Sequence, residues 1–178
     1  KVHGETVDGE EYREVYNLGV SGETSYDLIN RFEDELQRRA SEDPVITVFQ
    51  VGMNDSQVEI DSGEHVTSKE IFRGNIRELV SKSSRYSKQT YVLGLTPVNE
   101  REVDPMPWKE THAYRNEDIR KYDNVISSIV KRSSARYIPL FDQLRDDSWN
   151  EMLWDGVHPD KDGHRKIYRI IKDELRFI

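Results

Sequence analysis

Asp155 stands three residues ahead of His158 in Asp155-Gly156-Val157-His158-Pro159, a carboxylate and an imidazole framed by glycine and proline. An aspartate so placed can accept from the imidazole Nδ1–H, which fixes the tautomer and leaves Nε2 to take a proton from a nucleophile. That is the chemistry of a catalytic base. The same residues also read as surface turn residues ahead of a helix, so the pair needs further chemical groups around it to become a site.

Ser21 is one nucleophile the visible chain offers such a base. Gly19-Val20-Ser21-Gly22-Glu23 nearly spells the Gly-x-Ser-x-Gly elbow of a strand-to-helix turn, and Ser21 precedes Asp155 and His158 in the order Ser, Asp, His. Its fifth position, however, holds Glu23, where a small residue sharpens such an elbow. Metal chemistry fits less well. Asp160-Lys161-Asp162-Gly163 looks like part of a calcium loop, but His158 would fill its first position and Arg169 its twelfth, where oxygen ligands are required. His158 and His164 have a poor helical spacing for shared ligation, and no His-Glu-x-x-His motif occurs. His3, His65 and His112 read as solvated loop residues. Neither a metal nor an organic cofactor is expected.

The elements that must position these residues alternate between strand and helix. Tyr12 to Leu18 reads as a short strand; Ser25 to Ala40 is a helix with an apolar stripe at Leu28, Phe32 and Leu36. Pro44 to Val51 is β-rich and nearly continuously apolar, the pattern of a central parallel strand buried on both faces. Thr67 to Arg85 is a helix with Thr67 as N-cap and Glu70 as its capping-box partner. Thr90 to Thr96 is a strand, and a long polar loop runs from Val98 to Asn116. Glu117 to Ser133 is a helix, Arg136 to Leu140 a strand, and Lys161 to Phe177 a terminal helix. Such alternation implies a parallel sheet with helices on both faces, whose ligands gather at the carboxyl ends of the strands. Gly22, Asn54 and the loop beginning at Pro97 follow strand ends and should face one crevice, with the Asp155 turn swinging back over it.

Composition narrows the class. With 178 residues and 35% hydrophobic content, residues 1–178 read as a single domain with a real core. A formal charge of −8, with acids and bases interspersed, argues against nonspecific nucleic-acid binding. The absence of cysteine rules out disulfides and thiolate chemistry. No run approaches the ~18 apolar residues of a membrane span, and the visible N-terminus has no signal-peptide pattern. A cytoplasmic location is the expectation.

Three segments together carry a resemblance. Tyr16-Asn17-Leu18-Gly19-Val20-Ser21-Gly22-Glu23-Thr24-Ser25 runs through two glycines into a helix; Val48-Phe49-Gln50-Val51-Gly52-Met53-Asn54-Asp55 is an apolar strand ending in Gly-x-Asn-Asp; Asp155 to His158 is the turn already described. In order and approximate spacing they resemble blocks II, III and V of the SGNH (GDSL-type) hydrolases. The resemblance spans nearly the whole chain and implies a flavodoxin-like, three-layer α/β/α sandwich around a central parallel sheet. It implies that Gly22 offers a backbone N–H and Asn54 a side-chain N–H to the oxyanion, that Asp155 orients His158, and that Asp55 braces its loop. Read singly, Gly22 is equally a turn residue beside an N-cap at Ser21 or Thr24, and Asn54-Asp55 a strand-end turn or helix cap.

The Gly-Asp-Ser block that carries this family's nucleophile does not occur. Lys1 to Glu14 is a polar segment of the kind that follows it, so the first strand and the serine are expected upstream of residue 1. The resemblance then implies hydrolysis of small carboxylic esters, short acyl or acetyl, through an acyl-serine, with no cofactor. A noncatalytic carbohydrate- or carboxylate-binding module on the same fold, or an acyltransferase, would show the same visible motifs. Trp108, Trp149 and Trp154 read as lining an acyl or sugar pocket, or, for Trp154, as core beneath the turn. A free sheet edge leaves homo-oligomerisation open.

Overall fold

The structure is a computed structural model and describes residues 2–7, 11–39 and 44–175. Strands β1 (Val2–Val7) and β2 (Glu11–Tyr16) form an antiparallel hairpin whose register runs from Val2 opposite Tyr16 to Val7 opposite Glu11. Helix α1 (Ser25–Gln37) is capped by Thr24, not by Ser21. The Asp27 carboxylate accepts from the Thr24 N–H at 2.9 Å while Thr24 Oγ1 accepts from the Asp27 N–H, a capping box that satisfies two otherwise orphaned donors. Ala40, where the sequence placed the helix end, lies outside the described residues, as does Phe177.

Strand β3 (Ile46–Phe49) leads to a 3₁₀ turn at Asn54–Ser56 and the two-residue strand β4 (Val58–Glu59). Helix α2 (Lys69–Tyr86) is capped by Ser68, whose hydroxyl accepts from the Ile71 N–H, rather than by Thr67, which is buried. Then come β5 (Gln89–Leu93), α3 (Glu100–Val103), β6 (His112–Ala113), α4 (Asn116–Val130), β7 (Arg136–Ile138), the short α5 (Phe141–Leu144) and α6 (Asp147–Asn150), and α7 (Lys161–Glu174). The stretch from Val98 to Asn116 is therefore no open polar loop. It holds α3 and β6, and buries Val98, Val103, Met106, Ala113 and Tyr114.

Strands β3, β5 and β7 form a parallel sheet in the order β3-β5-β7. Successive side chains point to opposite faces, and each face has its own core. Phe49 and Val92 join Phe32, Phe72, Ile76, Tyr122 and Ile126 from α1, α2 and α4. Tyr91, Leu93 and Ile138 join Leu140, Leu144 and Trp149, with Ile167, Ile170 and Ile171 of α7 packed against them. The result is a three-layer α/β/α sandwich.

The expectation that Pro44 to Val51 forms the central, doubly buried strand is not met among the described residues, where β5 is the middle strand. Among the described residues β3 is an edge strand, and Ile46 and Val48 are 38% and 45% exposed. Its apolar run reflects a strand with one described neighbour, on the face that α7 covers further across the sheet. Among the described residues, no helix is long and apolar enough to cross a membrane.

Candidate active site

The chain turns from α6 to α7 through Asp155, and local hydrogen bonds dictate the shape. Asp155 Oδ1 accepts from the backbone N–H of Val157 at 3.0 Å and of His158 at 2.8 Å, closing an Asx turn. The other oxygen, Oδ2, accepts from His158 Nδ1 at 2.7 Å. Outside the turn, the Trp154 N–H donates to the His158 carbonyl at 3.0 Å, and the Asn99 N–H donates to the Gly156 carbonyl at 2.9 Å, pinning the turn to the start of α3. Asp160 then caps α7, accepting from the N–H groups of Asp162 and Gly163. This cap is the role of the acidic run that looks like a calcium loop.

Burial pushes the Asp155 carboxyl up, but hydrogen bonds from the His158 backbone and ring and from the Val157 N–H outweigh it and hold the group below the ordinary carboxylate range. An ionised carboxylate only accepts, so Nδ1 donates; in the neutral imidazole Nε2 is then the acceptor. Among the described residues Nε2 has no hydrogen-bond partner, and the side chain is 59% exposed against 16% for Asp155. Acid inside, base outside is the polarity a general base requires.

Gly156 carries the sharpest backbone demand here. Its φ is +82°, and a Cβ added to it would lie 2.8 Å from Val103 Cγ1 and 2.9 Å from Glu102 Cβ. Gly63 has a similar φ of +70° but open space around it. Gly63→Ala should therefore cost only the backbone strain, about 1 kcal/mol, whereas Gly156→Ala adds overpacking and should cost about 3 kcal/mol. Thermal unfolding would show the second as a fall in Tm of roughly 6–12 °C; equal shifts for the two variants would mean that the turn relaxes away from α3.

Gly22 and Asn54, expected to share a crevice, are brought together. The Asn54 Nδ2 donates to the carbonyl of Glu23, the residue after Gly22, at 2.8 Å. Gly22 lies exposed at φ +82° with nothing within 4 Å of where a Cβ would sit, so a ligand can approach its backbone. Its N–H has no hydrogen-bond partner among the described residues. Asp55 is fully buried and accepts from Ser25, from its N–H at 2.9 Å and from its hydroxyl at 2.6 Å, which ties the 3₁₀ turn to the first residue of α1. Burial drives this carboxyl above the ordinary range, against those same hydrogen bonds.

Tyr114 donates from its hydroxyl to Asn54 Oδ1 at 2.8 Å. Burial pushes its phenol up; a hydrogen bond with Gln57 opposes this, and the charges of Asp155 and Asp55 add to the rise.

Sequence reasoning missed several residues around the site. Glu23 is gripped by a forked ion pair from Arg31, with Nε at 2.7 Å from Oε1, which sets the carbonyl that Asn54 meets. Gln57 lies one turn after Asn54, a spacing that could have flagged it; Tyr114 is remote in sequence and carried no such signal. Of the tryptophans, Trp149 is corrected from a pocket-lining residue, and for Trp154 the core alternative falls. Trp149 is buried in the core, with its indole N–H donating to the Pro97 carbonyl at 2.8 Å. Trp154 is 71% exposed rather than core, and its ring stacks on His158 with centroids 5.9 Å apart. His65 is not a solvated loop residue either: it packs on the Tyr122 ring and lies 3.2 Å from the Asp118 carboxylate.

The model of the GDSL-like Lipase/Acylhydrolase family matches residues 5–166. Axe2, an acetylxylan esterase from Geobacillus stearothermophilus, is 22% identical with a TM-score of 0.67, the match covering 93% of this chain and 73% of that one. A GDSL-like lipase from Bacteroides thetaiotaomicron is 19% identical with a TM-score of 0.69, covering 86% of this chain and 71% of that one. At these identities the likeness is one of fold. No curated protein matches the chain in sequence.

Proposed function

We propose that this chain, which belongs to the GDSL-like Lipase/Acylhydrolase family, hydrolyses short acyl esters through an acyl-serine intermediate whose serine is supplied by sequence upstream of Lys1. Ester hydrolysis comes with the family; the serine, the acyl preference and the residue roles are our reading. The observation that carries it is the 2.7 Å contact of Asp155 Oδ2 with His158 Nδ1, which leaves Nε2 of the exposed ring without a partner among the described residues.

In this mechanism the serine hydroxyl attacks the ester carbonyl while His158 Nε2 takes its proton. The Asp155 carboxylate stabilises the imidazolium, and the N–H groups of Gly22 and Asn54 meet the oxyanion of the tetrahedral intermediate. His158 then returns the proton to the departing alcohol. Water, deprotonated by the same nitrogen, attacks the acyl-serine, and collapse of the second intermediate releases the acid and the serine.

Axe2 supports the assignment. Variants of that enzyme with alanine in place of a serine, an aspartate or a histidine are named catalytic mutants, and its aspartate precedes its histidine by three positions, as Asp155 precedes His158. Its name, acetylxylan esterase, favours acetyl groups on a sugar. Among the described residues β3 has a neighbour on one edge only, and Ile46 and Val48 are exposed, which supports a further strand beside it.

The full-length protein, incubated with a fluorophosphonate and digested for mass spectrometry, should carry the adduct on a serine upstream of Lys1 and should turn over p-nitrophenyl acetate before treatment but not after. An adduct on Ser21 would transfer the nucleophile to the elbow. With neither adduct nor turnover, the fold would be a binding module.

A further inference from the structure

Asn54 is held from both ends of its carboxamide. Its Oδ1 accepts from the Tyr114 hydroxyl at 2.8 Å and from Gln57 Nε2 at 3.1 Å, while its Nδ2 donates to the Glu23 carbonyl at 2.8 Å. Gln57 Nε2 also donates to the Tyr114 oxygen at 2.7 Å, so the phenol accepts on one side and donates on the other. Such a relay polarises each bond in the direction of the next.

The two-stranded ladder of β4 and β6 builds this arrangement. Val58 pairs with Ala113 and Glu59 with His112, so the register carried one step further sets Gln57 opposite Tyr114. The ladder serves as a bracket beneath Asn54.

We infer that Tyr114, together with Gln57, is a positioning residue that fixes the Asn54 amide with its nitrogen toward the oxyanion; this rests on the reading of Asn54 as an oxyanion donor. Oxygen and nitrogen of a carboxamide differ little in shape, and rotating Asn54 by half a turn would present an acceptor to the developing negative charge. That rotation sets the Asn54 NH₂ against the Gln57 NH₂ and its oxygen against the Glu23 carbonyl. Gln57 and Glu23 are then wrong partners, and the Tyr114 hydroxyl, already accepting from Gln57, loses the acceptor for its own proton. Of the two Nδ2 protons, one is spent on Glu23, a residue held in turn by Arg31. The second has no acceptor among the described residues and is the one available to substrate. Because Glu23 follows Gly22, the same bond fixes the spacing between the two donors. The phenol touches no reacting atom, and its effect passes wholly through Asn54.

The test is a double-mutant cycle in the full-length enzyme with p-nitrophenyl acetate as substrate. Tyr114→Phe removes the hydroxyl while keeping the ring, and should lower kcat by about 10-fold to 100-fold, less than the loss of the donor itself, with KM within about 3-fold because the ground-state carbonyl gains little from the donor. In an Asn54→Ala background the same substitution should change kcat by less than about 2-fold, since the group it positions is gone. A structural role would lower kcat by the same factor in both backgrounds, which overturns the inference, as does an unchanged kcat in Tyr114→Phe alone. Should Tyr114→Phe fail to fold, Gln57→Leu, at a half-buried position, puts the same cycle to the test. If Asn54→Ala itself leaves kcat intact, the oxyanion reading is what fails, and the positioning role falls with it.

Discussion

Replacing His158 with alanine should lower kcat/KM for p-nitrophenyl acetate by about 10⁴-fold in the full-length enzyme, while leaving the fold in place. The rate effect follows from the direction of the imidazole. Its Nδ1 is committed to Asp155 at 2.7 Å and its Nε2 has no partner among the described residues, which on the proposed mechanism leaves that nitrogen for the serine proton. Without it, water must accept the serine proton and the leaving alkoxide departs unprotonated; what remains comes from oxyanion donors and binding. The stability cost is small because the side chain is 59% exposed and touches little beyond Asp155 and the Trp154 ring. A loss of about 1 kcal/mol would lower Tm by roughly 2–4 °C. Steady-state kinetics and a melt on one preparation separate the two effects, and a variant that keeps a tenth of the activity would remove His158 from the mechanism.

That pair was legible in the sequence because its chemistry is local. Asp155 meets the N–H groups of Val157 and His158 and the His158 ring within four residues, so the Asx turn and the Nδ1 contact are set by near neighbours in sequence. The alternation of strand and helix was legible for a similar reason, since the spacing of Phe32 and Leu36 along α1 depends on helix geometry alone. Legibility ended where a residue's role is set by a distant partner. The run from Pro44 to Val51 spells a buried strand, but centrality depends on neighbours, and among the described residues β3 has one, β5, on a single edge. Thr67 and Ser68 are equivalent caps by propensity; the buried setting of Thr67, whose carbonyl accepts from the Tyr122 hydroxyl, decides for Ser68. Trp149 and Trp154 are five positions apart with identical side chains, yet one is buried with its indole N–H on the Pro97 carbonyl and the other lies exposed against the His158 ring. Tyr114 sits in what reads as a polar loop, and nothing within that loop announces a contact with Asn54.

Asn54→Ala should cost about 10²–10³-fold in kcat, the effect of deleting one oxyanion donor, with KM near that of the parent. The donor matters more in the transition state than in the ground state because the carbonyl oxygen gains charge as the serine attacks, and only an interaction that strengthens on that path raises kcat. Asn54→Asp should be at least as slow. It nearly keeps the size of the side chain but exchanges the N–H for a carboxylate oxygen, which repels both the oxyanion and the Glu23 carbonyl that Nδ2 meets at 2.8 Å. Alanine also leaves Tyr114 and Gln57 facing the space the amide occupied, so a destabilisation of about 1–3 kcal/mol accompanies the loss. This stability term cannot mimic the kinetic one, because a folded enzyme that is merely less stable keeps its kcat at temperatures well below its Tm. Measuring kcat at 15 °C on protein shown to be folded isolates the donor. A kcat within a factor of a few of the parent would mean that Gly22 and the serine's own N–H suffice for the oxyanion, and that Asn54 serves to tie the Gly22 loop to the strand end.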